Sequence, residues 1–320
     1  MITKAQLRWL SYPLVAIAAG YFAYSLVENF GRLPRLSSRL VAEAVIVGSV
    51  VYVGITLTTG CLWHLLLRSM GVQATARTSL TIFSVAQFGK YIPGNFASQV
   101  GRVALARQAG MDARVVVASM AIEILMILGS ASIVVLSGLG SIERAFFLSD
   151  SGWLGGNGFV LLCCVAVVSP FILVALSKRM PTKLRQMVSV DGRFPGVSVL
   201  CTALALNTAA FWFLGLIAYI VAVRAIGLHE VSYFFLSTVF AFAMVAGFVT
   251  PGAPAGLGVR EAIILALLTP VYGGGEALAL TVLVRLVTLI GDALAFGGGL
   301  LARLLETRSE TASGRTGEAD

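Results

Sequence analysis

Hydrophobic positions in this chain lie in long runs interrupted by short polar stretches. Six runs are long enough to span a bilayer, roughly 20 residues each. They fall near 9–27, 41–67, 115–138, 153–177, 197–223 and 277–302. Two shorter apolar segments, near 78–92 and 233–250, each end in an uncommon pattern. The first is Gly89-Lys90-Tyr91-Ile92-Pro93-Gly94, running on to Gly101-Arg102. The second is Thr250-Pro251-Gly252, running on to Gly256-Leu257-Gly258-Val259-Arg260-Glu261. In both, an arginine stands nine residues after the proline, Pro93 to Arg102 and Pro251 to Arg260. Proline removes a backbone donor and glycine loosens the chain, so Pro93, Gly94, Pro251, Gly252, Gly256 and Gly258 are expected to break helices. Broken backbone at membrane depth persists only where protein or a water-filled cavity satisfies it, which marks a substrate site.

Each short segment is expected to enter the membrane, break, and return as a second short helix, over about 96–109 and 259–270. Three full spans then separate the breaks. Three is odd, so the hairpins enter from opposite faces, the first from the cytoplasm and the second from outside. The expected fold is therefore an all-α polytopic membrane protein with six to eight transmembrane helices. Its two re-entrant hairpins form an inverted repeat, with half-repeats at about 41–138 and 197–303, an organisation that supports alternating access.

Composition agrees with this class. The 320 residues are 58% hydrophobic and 12% charged, against about 25% charged in soluble domains. The net charge of +8 matters through its placement. Lys4 and Arg8 precede the first run; Arg68, Arg77, Arg107 and Arg114 lie between the second and third. Lys178, Arg179, Lys183, Arg185 and Arg193 follow the fourth, and Arg303 and Arg308 follow the last. The segment 28–40, with Arg32, Arg35 and Arg39, is the exception. The positive-inside rule puts both termini in the cytoplasm of an inner-membrane protein. The first run is too long for a signal-peptide core and has no small-x-small cleavage pattern after it, so it is expected to be a retained span. Residues 304–320, rich in Ser, Thr, Gly and charge, are expected to form a disordered cytoplasmic tail after a single membrane domain over 1–303.

The two motifs resemble the flippase-like membrane domain of lysylphosphatidylglycerol synthases and its stand-alone relatives, over about residues 5–303. The second motif is the more specific of the two. The resemblance implies lipid translocation or lipid-linked transport, with a membrane lipid or polyprenyl-linked substrate. Relatives are associated with glycosyltransferases or lipid-modifying enzymes, so such an enzyme is a candidate partner. Bifunctional members carry a soluble aminoacyltransferase domain after the membrane region. None follows here, so the chain is expected to be a transporter rather than an enzyme.

Charges inside apolar runs complete the reading, because each costs several kcal/mol in a membrane helix and is a functional candidate. Arginine offers a planar fork of donors that matches phosphate and stays charged when desolvated. Lys90, Tyr91, Arg102, Arg260 and Arg285 are the candidate phosphate-binding residues. Glu123, Glu261 and Asp292 are candidates for charge balance or proton coupling. Arg285 and Asp292 are two turns apart with Thr288 between them, so they share a helix face without pairing directly. If all seven charges converge, four are positive and three negative, leaving one unit for a single phosphate. The bland alternatives are arginines that snorkel to the interface and purely structural ion pairs.

Cys61, Cys163, Cys164 and Cys201 lack metal-ligand spacing and read as packing residues. Gly291, Ala293, Ala295, Gly297, Gly298 and Gly299 give the last span a small-residue surface for close packing. No Walker motif, nucleotide fingerprint or Ser/His/Asp arrangement is present, and no metal, cofactor or nucleic acid is expected. The leading expectation is a flippase for a phosphate-bearing lipid or lipid-linked glycan. The alternatives are a transporter of a small soluble anion and a non-transporting membrane partner of a glycosyltransferase or lipid-modifying enzyme.

Overall fold

A computed structural model describes residues 20–25, 27–91, 97–138, 140, 157–177, 179, 181–182, 189–250 and 256–316, and no strand occurs among them. Helix α1 (Ser38–Ser69) is followed by the short α2 (Ala76–Gln87) and α3 (Ala97–Gln108), then by the long α4 (Ala113–Ser137). Helix α5 (Asn157–Ser177) stands between two similar sets. The second set is α6 (Val197–Ile220, extended by a π-helical turn over Val221–Ile226), α7 (Tyr233–Val249), α8 (Val259–Tyr272) and α9 (Gly274–Thr316).

Five helices are long and apolar enough to cross a membrane: Ser38–Ser69, Ala113–Ser137, Val160–Ser177, Val197–Ile226 and Gly274–Leu305. The sixth expected span, 9–27, lies mostly outside the described residues. The protein is an all-α polytopic membrane protein, and its surface shows why. Helix α1 exposes Ile46, Val47 and Val50 while burying Ser49 and Thr56. Apolar-out, polar-in is the pattern of a helix solvated by lipid. The buried hydroxyls find backbone acceptors, Ser49 donating to the Val287 carbonyl at 3.3 Å and Thr56 to that of Tyr52 at 3.1 Å.

The short helices are shorter than a typical hydrocarbon core. At 12 residues each, α2 and α3 span about 18 Å against a hydrocarbon core of about 30 Å. Helices α7 and α8, with 17 and 14 residues, reach about 26 and 21 Å. Hydroxyl caps start the incoming limbs, Thr75 accepting from the Thr78 amide and Ser232 from that of Phe235. Glycine lets the limbs of each hairpin touch. A Cβ on Gly89 would lie 2.9 Å from the Ser98 backbone nitrogen. One on Gly256, at φ +69°, would lie 3.0 Å from the Gly247 Cα. Pro93, Gly94, Pro251 and Gly252, the expected breaks themselves, lie outside the described residues.

The two sets repeat each other in packing as well as order. Helix α1 packs on α9 as α6 packs on α4, and α2 packs on α9 as α7 packs on α4. The hairpins correspond likewise: α2 with α3 matches α7 with α8, and α3 with α4 matches α8 with α9. Helices α1 and α6 meet each other. Exchanging the halves therefore maps these interfaces onto one another.

Helix α9 continues to Thr316. Leu304, Leu305, Glu306 and Arg308 are good helix formers that extend α9 without a proline to stop it. Of the cysteines only Cys163 is buried; Cys61, Cys164 and Cys201 face outward, where a small apolar thiol is tolerated by lipid. The small-residue surface of α9 is used in part. Gly291 admits the Tyr52 ring and Gly299 admits Ser84, whereas Gly297 and Gly298 meet nothing within 4 Å.

Candidate functional site

Where the hairpins and the long helices meet, a cavity of about 240 Å³ opens, lined by Lys90, Arg102, Glu123, Arg260, Arg285 and Asp292 among others. The seventh expected charge, Glu261, contacts Arg285 just behind the wall. All seven charged candidates converge.

The first hairpin delivers one of them, Lys90, together with Tyr91, at the end of its incoming limb. A 3-10 turn over Phe88–Tyr91 follows α2 and turns Lys90 and Tyr91 toward α9. The Lys90 ammonium reaches both Asp292 carboxylate oxygens, at 2.8 and 2.7 Å, and the Tyr91 hydroxyl donates to Asp292 as well. One turn further along α9, Phe296 stacks on Phe88 with centroids 4.7 Å apart. The turn Phe88–Tyr91 is thus fastened to α9 by one carboxylate and one ring pair.

On the returning limb α3, Arg102 is 8% exposed and donates to Glu123 of α4, itself 6% exposed. Its guanidinium also lies 4.5 Å from the Phe83 ring centroid and 5.0 Å from that of Trp63. Trp63 is held in turn by its indole N–H donating to Ser119 Oγ at 3.1 Å. Arg102 therefore sits in an aromatic and carboxylate cage. It does not snorkel.

The second hairpin is built differently. Gly258, at φ +84°, opens α8, and its amide donates to Glu261 Oε2 at 2.8 Å. Glu261 caps its own helix as an N3 glutamate does. Its other oxygen faces Arg285 Nη1 of α9 at 3.4 Å. In both halves, then, a buried ion pair joins the returning helix to the long helix after it. Arg102 answers Glu123 in the first half; Glu261 answers Arg285 in the second, with the signs exchanged.

Arg260 is left over. It is 6% exposed, lines the cavity, and has no hydrogen-bonding or ion-pairing partner among the described residues. Glu261 and Asp292 act on it only through their fields, and Arg285 opposes it. Further donors nearby are also unused: Nε and Nη2 of Arg285 and Nε of Arg102 are buried without a partner. An isolated buried charge is costly, so a site that keeps one is suited to a ligand of opposite sign.

The remaining wall is mostly apolar, including Ile55, Ile124, Ile127, Leu214, Val245 and Phe248. Sequence reasoning missed Tyr52, Gln87, Gln99 and Asn207, which also line the cavity, and the Trp63–Phe83 cage. Uncharged polar and aromatic residues within an apolar run carry no signal that separates cavity from core. Thr288, expected between Arg285 and Asp292, is a lining residue, and its hydroxyl donates to the Arg285 carbonyl at 2.9 Å.

The geometry makes Asp292 the most shared carboxylate. Asp292→Asn leaves Lys90 without its counter-charge beside Arg260, and breaking a buried pair costs about 3–5 kcal/mol. Lys90 keeps 24% side-chain exposure, so the expected loss lies near the low end of that range. A lowered unfolding temperature in detergent, partly restored by added phosphatidylglycerol, is the expected result. A variant as stable as wild type, unmoved by the lipid, would refute the shared site.

No curated protein matches the chain. A family model described as the lysylphosphatidylglycerol synthase TM region does match it, over residues 13–295. With nearly all of the helical bundle inside that match, the chain belongs to the lysylphosphatidylglycerol synthase transmembrane-region family.

Proposed function

We propose that this protein is a flippase that carries a phosphate-bearing lipid, or a lipid-linked glycan, across the inner membrane by alternating access. The observation that carries the reading is the surplus of buried guanidinium donors around one cavity, with Arg260 unpaired among the described residues. Phosphate accepts bidentate bonds from such forks. A lipid fits better than a small soluble anion because the cavity is amphipathic. Its charged groups are joined to a broad apolar wall, and Phe248 in that wall is 43% exposed to the surroundings. The head group would occupy the charged end while the chains follow the apolar side toward the bilayer.

The repeated packing of the two halves supports the movement. If the repeats are inverted, the hairpins open to opposite faces, and rocking one half on the other exposes the cavity alternately. Both termini would be cytoplasmic, and the chain would act as a transporter, not an enzyme. A glycosyltransferase or lipid-modifying enzyme would be the natural supplier of its substrate.

The test is reconstitution of the full chain in phosphatidylcholine vesicles with a trace of acyl-labelled phosphatidylglycerol or prenyl phosphate. Chemical quenching of the outer leaflet reads transfer. Label crossing faster than in protein-free vesicles supports the reading. Rates equal to the protein-free control for both probes would overturn it.

A further inference from the structure

Among the described residues, each acidic side chain at the site has a partner. Glu123 accepts from Arg102, and Asp292 from Lys90 and Tyr91; Glu261 accepts from the Gly258 amide with Oε2, while its Oε1 makes no hydrogen bond and is ion-paired with Arg285. Residues 92–96 and 251–255, outside the described residues, contain no ionisable side chain in sequence. Among the described residues, the charge left uncommitted is the Arg260 cation. An ammonium entering this cavity would meet Arg260 and Arg285 with no free carboxylate to receive it, a like-charge encounter in a low-dielectric site.

Neutral polar groups supply the rest of the polar wall. Gln87 lines the cavity, and its side-chain amide makes no hydrogen bond with a described residue. Gln99, Ser98 and Asn207 line it too, with Ser98 Oγ donating to Gln99 Oε1 at 2.8 Å. Amides and hydroxyls of this kind both donate and accept, which suits the hydroxyls of glycerol or a sugar. From these placements we infer that the cavity selects lipids whose head group is net anionic and hydroxylated, and rejects head groups that carry an ammonium.

This rests on the lipid-translocation reading, and it runs against the lipid in the family's own name. Lysyl-phosphatidylglycerol differs from phosphatidylglycerol by an ester that adds two ammonium groups, so the pair isolates the feature in question.

Binding is the direct measurement. The purified full chain in neutral detergent is presented with equimolar phosphatidylglycerol and lysyl-phosphatidylglycerol of matched acyl chains, and bound lipid is counted by native mass spectrometry. The same competition is run with phosphatidylethanolamine in place of the lysyl lipid. Phosphatidylglycerol should be preferred by roughly tenfold or more in both, the scale of one unfavourable charge contact. Arg260→Glu, which turns the uncommitted charge negative, should shift the preference toward the lysyl lipid. Arg260→Gln should flatten it. Equal retention of both lipids by wild type overturns the selectivity while leaving lipid transport standing. Retention of neither removes the lipid reading itself, and this inference falls with it.

Discussion

Replacing Arg260 with glutamine should abolish most lipid transfer while leaving the protein at least as stable as wild type. These two effects normally travel together, and their separation is the signature of a buried charge kept for a ligand. Arg260 is buried at 6% exposure without a partner among the described residues, so the folded protein bears its desolvation and gains no pairing in return. Retaining an uncompensated ion in such a site costs several kcal/mol. Glutamine removes that cost and the repulsion from Arg285, and it keeps an amide in the cavity wall. On the transport side, a charge-assisted hydrogen bond to phosphate contributes about 1.5–3 kcal/mol, so losing it should slow transfer roughly ten- to a hundred-fold.

The wild type should also be stabilised by added phosphatidylglycerol, since a ligand that binds only the folded state raises its stability by mass action. Arg260→Gln should lose that response. Vesicle transfer and thermal unfolding on the same preparations decide the matter. A variant that unfolds earlier yet transfers lipid normally would make Arg260 a structural residue.

The parts of this fold that were legible in the sequence are those where membrane physics leaves few choices. Long apolar runs had to become helices, because lipid satisfies no backbone group. The short apolar segments beside the Pro-Gly pairs were expected to be short helices, and they form the limbs α2, α3, α7 and α8. The charged members of the site were legible for the same reason, since a charge in an apolar run stands out. Their pairing was not. Lys90, Arg102 and Arg260 looked equivalent as phosphate ligands, yet the fold gives Lys90 to Asp292 and Arg102 to Glu123, leaving Arg260. That division depends on contacts across some 200 residues in one case, from Lys90 to Asp292, and spacing carries no record of them. The repeat itself was readable only as two motifs. Its depth, down to matching helix interfaces and an ion pair with exchanged signs, became visible only in three dimensions.

The largest stability effect should come from the caged pair in the first half, and it should be strongly non-additive. Arg102→Met keeps an unbranched apolar stem beside Trp63 and Phe83 and removes the guanidinium that lies over their rings. It also leaves Glu123 buried among apolar groups with its charge unanswered. The expected cost is about 3–5 kcal/mol. Glu123→Gln should cost less, because Arg102 retains two aromatic faces at 4.5 and 5.0 Å, and a partly desolvated cation–π contact is worth about 0.5–2 kcal/mol. The double variant Arg102→Met/Glu123→Gln removes both charges and should recover most of the loss, since an ion pair replaced by neutral groups of similar shape is often tolerated. The order of stability should therefore be wild type, double variant, Glu123→Gln, then Arg102→Met, with a coupling between the sites larger than the cost of Arg102→Met alone. Denaturation in detergent measures all four corners of the cycle. The double variant also separates the two roles an arginine can have here. With Arg260 intact it should still bind anionic lipid, whereas a phosphate site centred on Arg102 would lose binding in every variant that lacks it. Costs that simply add, or a double variant weaker than either single one, would mean that Arg102 and Glu123 do not hold one another in the folded membrane protein.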